Sequence, residues 1–190
     1  EVKVVAPLPW IPQLPVFKKK YHFSIAKKIE IIDGIEVFHP RYFMIPKISS
    51  VLHGLLVLPA LLRITAQIRL RFDFDVIYSL WVYPDGFASY LVARILKKKI
   101  IIGALGSDIN IYTKSLLIRK QIFFCLSRCD FITTVSAALK KEIVNLGVPE
   151  RMVSVVGNGI DRVLFNPIDK SHCRKKLGLN LNSAYILFIG

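Results

Sequence analysis

Carboxylates are scarce in this chain: 13 Asp plus Glu stand against 27 Lys plus Arg, a formal net charge of +14 at pH 7. Such a surplus points to an anionic partner, whether phospholipid headgroups, a lipid-linked acceptor or nucleic acid. Cysteine is also sparse. Cys125, Cys129 and Cys173 cannot build a disulfide framework, and the first two lack the second ligand pair of a zinc site, so buried thiols in a reducing compartment are expected. The histidines, His22, His39, His53 and His172, show no metal-ligand spacing, and none stands at a strand end beside a nucleophile, which sets aside zinc and Ser/His chemistry. No Gly-x-Gly-x-x-Gly or Walker lysine motif occurs, so there is no direct nucleotide signature. The longest uncharged run, 48–62, is shorter than the roughly 20 residues of a membrane span. No basic region followed by a long apolar one opens the chain, and a cytoplasmic location is the expectation.

What is present is apolar. Hydrophobic residues make up 53% of 190, with 10 Gly and 10 Pro, which excludes a disordered, collagen-like or low-complexity chain and suits one ordinary domain with something left over. Strands are expected at 2–5, 75–80, 99–103, 130–135 and 152–156, and 31–38 reads as a turn at Asp33-Gly34 with a strand. Helices are expected at 50–71, bent at Pro59, and at 84–96, 113–129 and 137–145, the last capped by Ser136 and ended by Gly147. Pro7, Pro9, Pro12 and Pro15 favour an extended loop. Short apolar runs alternating with helices predict a doubly wound, Rossmann-like parallel α/β sheet. The chain opens inside a strand, and the strand-like run 184–189 stops at Gly190 with no following helix. A fragment that lacks a first strand and helix is the expectation.

In an open parallel sheet, ligands bind beyond the carboxyl ends of the strands. Three segments stand there: Trp81-Val82-Tyr83-Pro84-Asp85-Gly86, Ala104-Leu105-Gly106-Ser107-Asp108-Ile109-Asn110, and Gly157-Asn158-Gly159-Ile160-Asp161. Glycine lets backbone N–H groups approach a ligand, which suits Gly106-Ser107-Asp108 to hydroxyl or phosphate oxygens. Each segment also has a purely structural reading. Ser107 or Asp108 would cap a helix, Pro84 and Asp85 would open one, and Gly157-Asn158-Gly159 would simply turn.

Taken in order, Tyr83-Pro84-Asp85-Gly86, Gly106-Ser107-Asp108-Ile109-Asn110, Thr134-Val135-Ser136 and Val156-Gly157-Asn158-Gly159-Ile160-Asp161 with Phe165-Asn166-Pro167 resemble the N-terminal domain of the GT-B retaining glycosyltransferases of family 4. The resemblance implies an acceptor-binding domain at 1–157, an interdomain linker at 158–183 and, at 184–190, the first strand of a donor-binding domain. It implies transfer of a sugar from a nucleotide-sugar donor, with retention and no obligatory metal or other cofactor, to a carbohydrate or lipid-linked acceptor in bacterial envelope polysaccharide synthesis. Asp85, Gly86, Gly106, Ser107 and Asp108 would border the acceptor; Ser136, Asn158, Gly159 and Asp161 would face the interdomain cleft. No residue is assigned as catalytic. The pattern departs from the family where many members carry histidines: Tyr78, Ser79, Leu80 and Trp81 fill one such segment, and Leu105-Gly106 replaces His-Gly.

Lys18, Lys19 and Lys20, beside Trp10, Phe17, Tyr21 and Phe23, combine cations and aromatics as an interfacial contact does, which suggests a peripheral site on an anionic membrane. A solvated basic loop remains the plain alternative. The competing functional classes are a non-catalytic basic α/β module binding an anionic surface or nucleic acid, and a sugar-binding or epimerase-like domain. The first lacks a recognition helix or stacking stripe.

Overall fold

The Asp33-Gly34 pair sets the first local structure. Both residues have positive φ, 50° and 79°, the backbone of a two-residue hairpin turn. The computed structural model describes residues 1–10, 26–44 and 50–188. In chain order, β1 (Lys3–Val5) and β2 (Leu8–Trp10) precede a hairpin of β3 (Ile29–Ile32) and β4 (Ile35–Phe38), followed by β5 (Arg41–Phe43). β1 pairs in parallel with β4, and β2 with β5. The turn and strand expected over 31–38 are thus the turn and second strand of an antiparallel hairpin, whose first strand begins earlier, at Ile29.

α1 (His53–Arg69) carries Pro59 in its interior and is followed by β6 (Val76–Leu80). A wide turn over Val82–Gly86 leads into α2 (Phe87–Leu96). Then come β7 (Lys99–Ala104), the short α3 (Ser107–Asn110), α4 (Leu116–Leu126), β8 (Phe131–Thr134), α5 (Ala137–Asn145) and β9 (Val153–Val155). The helix expected from 113 begins at Leu116 because Ser115 is extended, with φ −85° and ψ 121°. β6, β7, β8 and β9 form a four-stranded, wholly parallel sheet in sequence order, the α/β class expected.

Period-two alternation decides which side of this sheet is the core. Ser79, Ile100, Ile102, Ala104, Ile132, Thr134 and Val153 are buried on one face, with Ile118 and Ile122 of α4 and Leu139 and Ile143 of α5 in the same core. Val76, Tyr78 and Leu80 alternate to the other face and stay exposed. A second cluster joins Tyr42, Val57, Leu61, Ala88 and Val92 between α1 and α2. Gly54 permits that close approach, since a Cβ there would stand 2.6 Å from Phe87 Cδ1. Each fully buried aliphatic side chain contributes about 1.5–3 kcal/mol.

The chain divides into two units, Glu1–Gly157 and Asn158–Gly190. In the second, α6 (Lys170–Lys176) is capped by Asp169, whose Oδ1 accepts from His172 N–H at 2.8 Å. Arg174 donates to the Leu181 and Ser183 carbonyls and lies over the Tyr185 ring. Residues 184–188, expected as a strand, form no ladder; a strand needs a neighbour, and none stands beside them among the described residues of this unit. No described helix is long and apolar enough to cross a membrane.

Candidate functional site at the carboxyl edge of the parallel sheet

Because β6, β7 and β8 run parallel and in register, with Leu80 opposite Gly103 and Gly103 opposite Thr133, their exit loops gather along one edge. Two loops there are held by one carboxylate. Asp108 is fully buried. Its Oδ2 accepts from Val82 N–H at 2.9 Å, its Oδ1 accepts from Gly106 N–H at 2.7 Å, and Leu105 N–H lies 3.2 Å from both oxygens. A side chain that accepts from three backbone amides is a strong staple. Asp108, expected to border the acceptor, is therefore turned inward and positions the β6 and β7 exits. Two unusual backbone conformations sit beside it: Trp81 at φ 83° and Gly106 at φ 140°, the second a region that favours glycine.

Next to the stapled loop opens a pocket of about 320 Å3, lined by Leu105, Gly106, Asn110, Val135, Ser136, Ala138, Leu139 and Glu142. That volume falls in the range of about 300–1,000 Å3 common for small-molecule sites. Ser136 Oγ accepts from Leu139 N–H at 3.2 Å, the cap expected from the sequence, and Thr134 Oγ1 donates to the Ser136 carbonyl at 3.2 Å. The β8–α5 turn is thereby fixed. The lining pairs an apolar floor, Leu105, Val135 and Leu139, with the amide of Asn110, the hydroxyl of Ser136 and the carboxylate of Glu142. Such a mixture suits a sugar, which presents C–H faces and hydroxyl edges. Gly106 and Ser136, drawn from two different motifs, meet here. Glu142 was not singled out by sequence; its signal was the helical spacing of positions 138, 139 and 142 on α5.

Asp85 and Gly86 lie in the turn over Val82–Gly86 and do not line this pocket. Burial pushes the Asp85 carboxyl up to about 6. It faces Tyr42, whose hydroxyl burial and the Asp85 charge push up to about 12, and Tyr42 shares a hydrogen bond of 2.7 Å with His53 Nε2. Burial in turn lowers the pKa of His53. Ser107 is half-buried, and its hydroxyl makes no hydrogen bond among the described residues; the helix-cap position before α3 belongs to Gly106. In the second unit, Asp161 Oδ1 accepts from Val163 and Leu164 N–H, closing a turn, while Asn158 and Gly159 are exposed. Lys18, Lys19 and Lys20 lie outside the described residues. Among those that are described, no cluster of His, Cys, Asp and Glu could hold a metal ion. Cys125 and Cys129 are buried and Cys173 half-buried.

The family model Glycosyltransferase Family 4 matches residues 11–163. The glycosyltransferase TuaC of Bacillus subtilis (strain 168), named for teichuronic acid biosynthesis, is 25% identical over 197 residues, taking in 100% of this chain and 49% of that protein. The chain thus spans about half the length of that relative. Anabaena Alr3699/HepE, solved in complex with UDP and glucose, superposes with a TM-score of 0.53 at 17% identity over 76% of this chain and 37% of that one. Sucrose-phosphate synthase from Thermosynechococcus elongatus gives a TM-score of 0.56 at 12% identity over 83% of this chain and 40% of that one. These likenesses are of fold, and the fold is that of GT-B glycosyltransferases.

Proposed function

Because the chain belongs to glycosyltransferase family 4, we propose that residues 1–157 are the acceptor-side domain of an enzyme that transfers a sugar from a nucleotide-sugar donor to a carbohydrate or lipid-linked acceptor. On this reading transfer retains the anomeric configuration and needs no metal, and the product belongs to envelope polysaccharide. Residues 158–183 are the link to a donor-binding domain, and 184–190 enter that domain and pair as its first strand only beside the rest of it. The enzyme works at the cytoplasmic face of the membrane. The observation that carries the reading is the pocket formed by Gly106, Asn110, Ser136 and Glu142 at the carboxyl edge of the parallel sheet. Support for the donor comes from the solved relative bound to UDP and glucose, and for the product from the name of TuaC.

In this role the chain's own residues bind and orient. Asn110 and Glu142 present an amide and a carboxylate to acceptor hydroxyls, Val135 and Leu139 offer a dry wall, and Asp108 keeps both exit loops in place. Asp85, Gly86 and Ser107 border the acceptor, Ser136 faces the donor-binding domain, and Asn158, Gly159 and Asp161 belong to the link between domains. A cleft that closes over the reacting groups keeps water from the activated donor. The test is equilibrium dialysis of the purified chain against radiolabelled envelope oligosaccharides and, separately, UDP-glucose, with transfer assayed in parallel. Retention of oligosaccharide, no retention of UDP-glucose and no transfer by this chain alone are expected. Tight UDP-glucose binding without oligosaccharide binding would overturn the acceptor-side assignment.

A further inference from the structure

A helix on the surface of a water-soluble domain normally buries one stripe and turns a polar face outward. α4 does not. Its sequence, Leu116-Leu117-Ile118-Arg119-Lys120-Gln121-Ile122-Phe123-Phe124-Cys125-Leu126, buries Ile118, Ile122, Cys125 and Leu126, a complete stripe at helical spacing. The opposite face should then be polar. Instead it carries Leu116, 73% exposed, Leu117, 59%, Phe123, 39%, and Phe124, 38%, arranged around Lys120 with Arg119 at the edge.

The apolar surface continues beyond the helix. Gln121 Nε2 donates to the Val51 carbonyl at 2.9 Å, and the Tyr83 hydroxyl reaches the Ser50 and Val51 carbonyls at 2.8 Å each. The first bond seats the segment before α1 against α4 and the other two seat it against the Val82–Gly86 turn; Leu52 and Leu55, just before and within α1, are exposed as well. Charge in the stretches of sequence that carry α1 and α4 has one sign. No Asp or Glu occurs at 37–72 or at 109–129, whereas Lys114, Arg119, Lys120 and Arg128 fall in the second stretch. Among the described residues no carboxylate pairs with Lys114, Arg119 or Lys120. Exposed leucines and phenylalanines around unpaired cations fit a surface that is apolar at depth and anionic at its rim.

We propose that the outward face of α4, together with the start of α1, docks this protein on an anionic lipid bilayer. The leucines and Phe123 enter the acyl boundary while Arg119, Lys120 and Lys114 meet headgroup phosphates. This locates a membrane contact on residues other than Lys18, Lys19 and Lys20 and does not depend on the transfer reaction. Nor is it the face of the acceptor pocket, which Leu105, Ser136 and Glu142 define.

Flotation of the purified chain with lipid vesicles tests it. Vesicles of phosphatidylcholine with roughly 30 mol% phosphatidylglycerol should carry the protein at low salt, and phosphatidylcholine alone should not. Arg119→Gln with Lys120→Gln should weaken partition roughly 30-fold. Leu116→Gln with Leu117→Gln should weaken it roughly tenfold or more, with helix content by circular dichroism unchanged because both side chains are already exposed. Lys175→Gln with Lys176→Gln on α6, an equal loss of charge elsewhere, should leave partition unchanged. Equal partition on both lipid compositions, native partition of either α4 variant, an equal loss in the α6 control, or retention on duplex DNA without vesicle binding would each overturn the proposal.

Discussion

Asp85 shows how a single side chain ties the turn after β6 to pH. Its carboxyl is raised from 3.8 to about 6 because burial in the turn takes water from it. The linkage runs one way. Below pH 3.8 the group is neutral in both states and costs nothing; between that value and about 6 the unfolded chain releases its proton first, so stability falls as pH rises; above it the penalty is constant. Asp85→Asn is therefore expected to raise stability at pH 7.5 by about 1–3 kcal/mol and to add nothing at pH 3.5. Urea titrations at both values check this, and an equal gain at both would show that ionisation is not the cause.

At the scale of elements, the junction of the β6 and β7 exits depends on Asp108. Asp108→Ala would leave the Val82, Leu105 and Gly106 amides without their acceptor at a fully buried position. A loss on the order of 3–5 kcal/mol is expected, read as a lowered urea midpoint, with the pocket loop more readily cut by protease; a change under about 1 kcal/mol would mean that the loops hold themselves. This junction marks a limit of sequence reading. Gly106-Ser107-Asp108 stood out as a polar, glycine-containing turn, but whether its carboxylate faced a ligand or the backbone depended on Val82, 26 residues earlier in the chain. Local patterns were more informative. The parallel strands were legible in runs such as Lys99-Ile100-Ile101-Ile102-Gly103, and the Ser136 cap in its position before α5. The β3–β4 hairpin was only half legible, since Ile29 and Glu30 carry no turn signal of their own. α4 was legible as a helix, yet its doubly apolar character emerged only when burial showed which face was already used.

At the scale of the molecule, the family was readable because its short motifs all fall at strand ends, where a parallel sheet places its ligands; the family model and the fold of the solved relatives agree with that reading. Less legible was the pocket, which needs Gly106 from one exit loop and Ser136 and Glu142 from another, a meeting that the strand order β7–β8 brings about. The outward face of α4 and the carboxyl-edge pocket give this unit two separate surfaces, one suited to lipid and one to sugar. The measurement that bears most directly on the acceptor-side assignment is amide chemical-shift mapping of the labelled chain titrated with envelope oligosaccharide and, in a second titration, with UDP-glucose. Oligosaccharide should shift the amides of Gly106, Asn110, Ser136 and Glu142 together while UDP-glucose moves none of them; shifts of these amides with UDP-glucose, or oligosaccharide shifts confined to other surfaces, would contradict it.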